Sequence, residues 1–379
     1  MTDQLFVSQR LIGREAELLQ IRQILAKDED FLLVGVPGIG RRTLIRVAAQ
    51  QVGAKVLEID CLRTTSASRF LRLLADSILE GFSTPEELVF IQQWSTQQPL
   101  VLEQSLSQRP QLVWHLSAAK EWMLFQSLLA LPQSMAEWLG CRVVIVFLNF
   151  PHIRSWDRTG KWEEYLRQEI QQQSRVSYVL VSTVIESWVQ QHNLHTIALA
   201  PLSDSTIQSW IVAEMADQGL EFDADSQALD LFISIVQGHT GDAIRLARRI
   251  WFDRRFYACS LPDWTTASKS ELNSVINPLI EAHHVHRSAL ALVEDLATTF
   301  ESLILLLPPS QVRVLESLAL DPTDKPQSRD YIQKHQLTRG GGLQGALAGL
   351  EQKGLLYGPQ YGYRVALPFL SFWLKQRLL

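Results

Sequence analysis

The chain has 379 residues, 46% of them hydrophobic and 20% charged, enough for two or three domains with sizeable cores. A net charge of -5 with no basic arm or tail gives no global reason to expect polyanion binding. Three cysteines, Cys61, Cys141 and Cys259, stand far apart without metal-ligand spacing, which suits a reducing compartment; Cys61 and Cys141 are expected as small buried residues. MTDQLFVSQR has no apolar leader and no run approaches the roughly 18 apolar residues of a membrane span, so a cytoplasmic protein without a membrane partner is expected.

Leu11 to Leu25, LIGREAELLQIRQIL, places Leu18, Ile21, Ile24 and Leu25 at helical spacing. Phe31 to Arg46 follows, FLLVGVPGIGRRTLIR: an apolar run from Phe31 to Val34, a turn carrying Gly35, Gly38 and Gly40, and helical character from Arg42 to Gln51. Strand, glycine-rich loop and helix is the order of a phosphate-binding P-loop. In such a loop the glycines let backbone N–H groups curl around phosphate at a helix N-terminus, a lysine reaches the outer phosphates and a Ser or Thr hydroxyl holds magnesium. Gly35 and Gly40 have the required spacing, but the lysine position is Arg41 and the magnesium position is Arg42, whose guanidinium has no acceptor to offer a metal. A slip of one residue makes Arg42 and Thr43 imitate the Lys-Thr pair and displaces the second glycine; the remaining alternative is a Gly/Pro-rich turn that binds no nucleotide.

Further along, Lys55 to Asp60 reads as a strand and Ser68 to Leu79 as a helix. Glu80 to Leu139, rich in Gln, Leu and Trp, has helical periodicity and predicts an added helical layer, with a partner-binding face made by Trp94, Trp114, Trp122 and Trp138 as the alternative. Ser205 to Met215 and Ser226 to Val236 read as amphipathic helices. Gly238 to Trp251, GHTGDAIRLARRIW, is a glycine-bearing turn running into a basic helix, and Asp263 to Ser270 reads as a linker. His283, His284 and His286 are clustered in AHHVH, but adjacent helical residues diverge and no carboxylate or cysteine stands at i+4, so no metal site is expected. The end of the chain gives helices at Pro309 to Leu320, Ser328 to His335 and Leu343 to Lys353, two short strands joined by a Pro359 to Gly362 turn, and a last helix from Pro368. Phe369 and Trp373 on that helix are expected to share a buried face with Leu347 and Leu350.

The run Ile12 to Leu18, IGREAEL, resembles the GRExEL box that precedes the P-loop in AAA+ and STAND ATPases, especially the archaeal-type ATPase family, where it lies beside the adenine pocket. KVLEID, RVVIVFLNF, SYVLVST and IALAPLS resemble, in order, that family's second strand, Walker B strand, sensor strand and the run into the helical lid. The C-terminal part resembles the family's winged helix, through Leu347 to Leu356 and the Pro368 to Leu374 ending. The resemblance implies an aspartate and a glutamate at the Walker B positions, one for hydrated magnesium and one for the attacking water; here they are Leu148 and Asn149. It also implies a lid arginine reaching the phosphates, for which Arg245 is the candidate, although the simplest alignment gives Ile244 and a solvated basic face of Arg245, Arg248 and Arg249 explains the segment equally.

The expected fold is therefore α/β: a P-loop, AAA+-like parallel sheet core over 1–201, a helical lid over 202–262, a helical linker over 263–300 and a winged helix over 301–379. The implied nucleotide contacts are Gly13, Arg14, Gly35, Val36, Pro37, Gly38, Ile39, Gly40, Arg41, Arg42, Thr43, Leu44 and Arg245, with ATP or ADP as ligand and no protein group for magnesium. Two defects in one site predict a pseudo-ATPase with little or no hydrolysis, acting as a regulatory or scaffold protein on a protein partner or on itself. Outward-facing residues of Leu343 to Lys353 include one lysine against one glutamate, a poor phosphate footprint even with Arg339 and Arg364 nearby. DNA binding by the winged helix, as in initiator or transposition-regulator ATPases, stands as the alternative, and an ATPase using unconventional residues as the third.

Overall fold

The computed structural model describes residues 11–105, 108–114, 121–170, 175–186, 188, 194–257, 278–338 and 340–378. The chain divides into two units, one formed by Arg14–Gly35 and Arg41–Leu199, the other by Met1–Gly13, Val36–Gly40 and Ala200–Leu379.

The first unit is built on a five-stranded sheet of β1 (Phe31–Val34), β2 (Ala54–Asp60), β5 (Arg142–Leu148), β6 (Val176–Ser182) and β7 (His195–Ala198), in the order β2-β5-β6-β1-β7. All its pairings are parallel. β1 and β6 are buried at every position, which is why they read as unbroken apolar runs rather than alternating ones. Helix α1 (Glu15–Ala26) precedes β1, while α2 (Arg41–Gln51) and α3 (Ala67–Gly81) lie in the crossovers after β1 and β2. Register puts Asp60 beside Leu148 and Val34 beside both Ser182 and Ala198, so the strands end together at one edge of the sheet.

Between α3 and β5 the expected all-helical layer is corrected. It holds α4 (Pro85–Ser95), an antiparallel hairpin of β3 (Val101–Ser105) and β4 (Gln108–Val113), and α5 (Glu121–Leu139). Leu102 and Leu112 pair across the hairpin and are buried together, an alternation too short to distinguish from helical spacing in the sequence. Thr84 and Glu87 cap α4 reciprocally, fixing where it starts. Trp94, Trp114 and Trp122 pack against the core, while Trp138 is 46% exposed and stacks on Phe90 at 4.7 Å between ring centres. The helix α6 (Lys161–Ile170) completes this side; Asp157 accepts the N–H groups of Lys161, Trp162 and Glu163 at its start.

At the other end of the sheet, Asp30 accepts the Tyr178 N–H at 2.7 Å, and burial lifts its carboxyl to about 7. A carboxyl raised in the folded state contributes stability that is complete below its unfolded value near 3.8 and is lost as pH rises through about 7. Asp30→Asn keeps the acceptor without the charge, so chemical denaturation should find it more stable than the parent by about 2 kcal/mol at pH 8, a difference that disappears near pH 4. Equal stability at pH 8 would mean that the carboxylate is solvated.

The second unit contains α7 (Asp204–Asp217), α8 (Ala228–Val236), α9 (Thr240–Tyr257), α10 (Ala282–Leu305), α11 (Pro309–Leu320), α12 (Arg329–Lys334), α13 (Gly341–Gln352) and α14 (Pro368–Leu378). β8 (Glu221–Phe222) pairs with β9 (Leu279–Ile280), and β10 (Leu356–Tyr357) with β11 (Arg364–Val365). Lid and winged helix share one hydrophobic core: Phe232, Ile250 and Val285 belong to the same buried cluster as Leu315, Leu350 and Phe369. The helix α10 crosses residue 300 and contributes Val285, Ala289, Val293 and Phe300 to that core. Asp263 to Ser270 and Cys259 lie outside the described residues, as does Arg339.

Phe369 and Trp373 are buried as expected, but α14 packs mainly on α10, α11 and α8. Trp373 lies 5.8 Å from the Phe300 ring, so its face is completed by the long helix α10, which a reading of the winged helix alone does not supply. Leu343, Ala346, Leu347 and Leu350 form the inward stripe of α13, as their spacing predicts.

Candidate functional site

Within the first unit, the strand ends carry the residues that the P-loop reading singles out. Arg41 opens α2 and turns its guanidinium back: Nη1 donates to the carbonyl of Gly35 at 2.9 Å and to that of Ser182 at 3.2 Å. Burial lowers its pKa to about 10 while the negative charge of Asp60 opposes the shift, so it remains a cation at neutral pH. Arg42 points elsewhere. Its Nε donates to Glu58 Oε2 at 2.6 Å, and Arg46 Nε reaches the other oxygen of the same carboxylate at 2.5 Å. Burial works against ionising Glu58, but the two arginines outweigh it and hold its carboxyl below the usual range. Arg42, expected among the nucleotide contacts, thus fastens α2 to β2. Thr43 is partly exposed in the first turn of α2, and Leu44 is a core residue, 0% exposed.

At the Walker B strand end, Leu148 closes β5 and Asn149 takes a left-handed backbone, φ 53°, which Asn tolerates better than most residues. Its Nδ2 donates at 2.9 Å to Oδ1 of Asp60, which also accepts the Leu62 N–H at 3.1 Å. An acid therefore stands beside the Walker B position in space, supplied by the neighbouring strand. The sequence search along Arg142 to Trp156 misses it; the signal is the acid at the end of KVLEID, one strand over. Asp60 takes both N–H groups on one carboxylate oxygen, and Asn149 has no basic atom.

Arg14, in the box before α1, is buried with φ 102° and pairs with Glu17 at 2.9 Å.

In the second unit, Gly13 has φ 54°, and a Cβ there would come within 2.6 Å of Thr206. The loop residues Val36 and Ile39 are buried, and Pro37, Gly38 and Gly40 complete the turn, with φ 84° at Gly38 and 96° at Gly40. His239, immediately before α9, points Nε2 at the Pro37 carbonyl, 2.8 Å away, and Gly241 N–H donates to the Gly38 carbonyl at 2.9 Å. Arg245 is 59% exposed at its side chain and pairs with Asp242 at 3.0 Å; Ile244 packs against the hydrophobic core. His239 and Asp242 were not marked by the sequence reading, because a histidine in a glycine-bearing turn carries no motif.

Elsewhere, the start of α10 brings Glu281 to His283, 3.2 Å apart, with His284 close enough that all three ligand atoms lie within 4.8 Å. Glu281 stands just before the histidines rather than one turn after them, where helical spacing would place a ligand. His284 is already engaged at both nitrogens, Nδ1 accepting the Glu281 N–H at 3.0 Å and Nε2 lying 2.8 Å from Arg254. Burial, with the Arg254 charge behind it, lowers its pKa to about 4, an environment unfavourable to a dication as well.

A family model described as a probable winged helix domain matches residues 298–376. Among solved structures, the chain is similar to the Walker-type ATPase PABY2304 of Pyrococcus abyssi over 98% of both chains, at 14% identity and a TM-score of 0.64. The fold is that of the AAA+ P-loop ATPases. A second similar structure, the Orc1 protein of Aeropyrum pernix in complex with DNA, covers 98% of this chain and 95% of its own at 14% identity, with a TM-score of 0.50. Comparison with curated protein sequences gives no match. The AAA+ fold with a C-terminal winged helix agrees with the expectation drawn from the motif order. No described helix is long and apolar enough to cross a membrane.

Proposed function

We propose that this chain is a nucleotide-binding regulatory or scaffold protein of AAA+ type, with little or no hydrolysis, acting through protein contacts of the unit that carries its winged helix. One observation carries the reading: Arg41, at the lysine position, spends its Nη1 on the carbonyls of Gly35 and Ser182, beside a β5 end that offers Leu148 and Asn149 in place of two acids. The helix α2 and the glycines before it still supply the backbone N–H groups that favour a phosphate. Arg41 supplies a cation. What is missing is the apparatus that moves the proton of an attacking water and holds magnesium against the leaving group. The candidate ligand is ATP or ADP. The test is steady-state phosphate release from ATP with magnesium, which should be absent or barely measurable.

DNA association is the second reading, favoured by the DNA-bound state of the similar Orc1 structure. The surface of α13 speaks against it. Its exposed residues are chiefly Gln344, Gly345, Ala348 and Gln352, and Lys353 just beyond it donates to Gln311 at 3.1 Å. On the wing, the Arg364 guanidinium lies over the Tyr357 ring, 5.3 Å from its centre. Titration with duplex DNA separates the readings, since binding through phosphates would show a steep loss of affinity with salt.

A further inference from the structure

His239 is the N-cap of α9, filling a role usually given to Ser, Thr, Asp or Asn. Its Nδ1 accepts the N–H of Asp242 at 3.1 Å, the third residue of the helix, so the ring proton sits on Nε2 and is donated to the Pro37 carbonyl. The next orphan donor of the same turn, Gly241 N–H, is satisfied by the Gly38 carbonyl. The phosphate-loop crest is thereby part of the cap of the lid helix. Contact is also steric: a Cβ at Gly38 would stand 2.6 Å from Cε1 and 2.7 Å from Nε2 of the His239 ring.

From His239 the connection continues through Asp242, which is 2% exposed. Its Oδ2 lies 3.5 Å from His239 Nδ1 and accepts, at 3.3 Å, the N–H of Phe369 in the first turn of α14, while Oδ1 takes Arg245. Burial resists its ionisation, but the Phe369 N–H and the Arg245 charge hold the carboxyl below the usual range, so it is an anion at the N-terminus of α14. Neither an apolar core nor a helix cap requires a buried histidine and aspartate in series. A Ser cap and an apolar residue would meet both needs without burying a charge.

We propose that His239 and Asp242 form a clip through which the conformation of Val36–Gly40 sets how firmly α14 is docked, so that an occupant of the loop is sensed at the end of the winged helix. The identity of that occupant, a nucleoside polyphosphate, rests on the reading under Proposed function; the clip itself does not. A loop held in the conformation seen here keeps Pro37 and Gly38 carbonyls in place for α9, and α9 keeps Asp242 in place for Phe369. Disturbing the loop pulls on both.

Amide hydrogen exchange of the full-length protein, read at residues 369–372 and with β5 as an internal control, tests this in two stages. The first needs no ligand and compares the parent, Gly38→Ala, His239→Asn and the double variant. Asn retains the helix cap but is too short to reach Pro37, so the protein should stay folded. Gly38→Ala should speed α14 exchange by on the order of tenfold, and in the His239→Asn background it should have little further effect, because the ring that transmits the displacement is gone. If Gly38→Ala leaves α14 exchange unchanged, or if its effect multiplies in full on His239→Asn, the clip does not exist. In the second stage ATP with a chelator should slow α14 exchange in the parent and leave it unchanged in His239→Asn. Calorimetric failure of ATP to bind would overturn the nucleotide reading while the first stage still decides the clip; bound ATP that slows α14 equally in both proteins would overturn the clip as the route.

Discussion

Phosphate release from ATP should run at least about a thousandfold below the roughly 1 to 100 per second typical of phosphoryl-transfer enzymes such as kinases. The expectation comes from separate losses that reinforce each other. On the proposed reading, Leu148 and Asn149 stand where acids would hold hydrated magnesium and activate the attacking water, and Arg42, bound to Glu58, stands where a hydroxyl would take the metal. Asp60 is near enough to draw suspicion, but its Oδ1 is taken by Asn149 and Leu62. Restoring only the loop, by Arg41→Lys with Arg42→Thr, should therefore leave turnover at background. A rate within tenfold of working enzymes that disappears on changing Arg41 or Thr43 would sink the pseudo-enzyme reading, and loss of that rate in Asp60→Asn would name Asp60 as the base.

Trp373→Ala should destabilise the second unit by roughly 3 to 5 kcal/mol, the usual cost of deleting a buried large aromatic without repacking. The ring is 8% exposed, part of the common lid and winged-helix core, and rests against Phe300. Arg377 also lies over it, 5.5 Å from the ring centre, an exposed contact of small weight beside the burial. Because α10 and α8 complete its surroundings, denaturant unfolding should be followed on the full chain rather than on a fragment beginning near residue 301. A variant as stable as the parent would make Trp373 a surface residue and its end of α14 a docking face.

The sequence revealed the sheet because each central strand is buried on both faces and so spells a continuous apolar run between glycines and polar ends, as FLLVG does. It revealed the winged helix because Leu343, Ala346, Leu347 and Leu350 keep helical spacing through to a glycine that ends the helix. The β3–β4 hairpin was hidden because its buried alternation is too short to separate from a helical face. The defects of the site were legible as residue types: an arginine for lysine, no acids between Arg142 and Trp156. What those residues do instead was not. That Arg41 reaches Ser182 and that Asp60 serves Asn149 are facts of strand register, which brings positions roughly ninety or more apart in sequence to one edge, and that Arg42 belongs to Glu58 depends on how α2 lies against β2. His239 and Asp242 escaped for a related reason. Their partners, Pro37 and Phe369, are backbone groups far along the chain, and backbone partners leave no residue pattern to read.

Calorimetric titration of the purified protein with ATP, once with magnesium and once with a chelator, measures whether the proposed nucleotide site works without a metal partner. The account predicts saturable binding with affinities within about threefold of each other in the two conditions, since no group in the loop or on β5 is placed to hold the ion. Binding that appears only with magnesium would contradict it and make Thr43 or Asp60 the metal ligand that this reading denies.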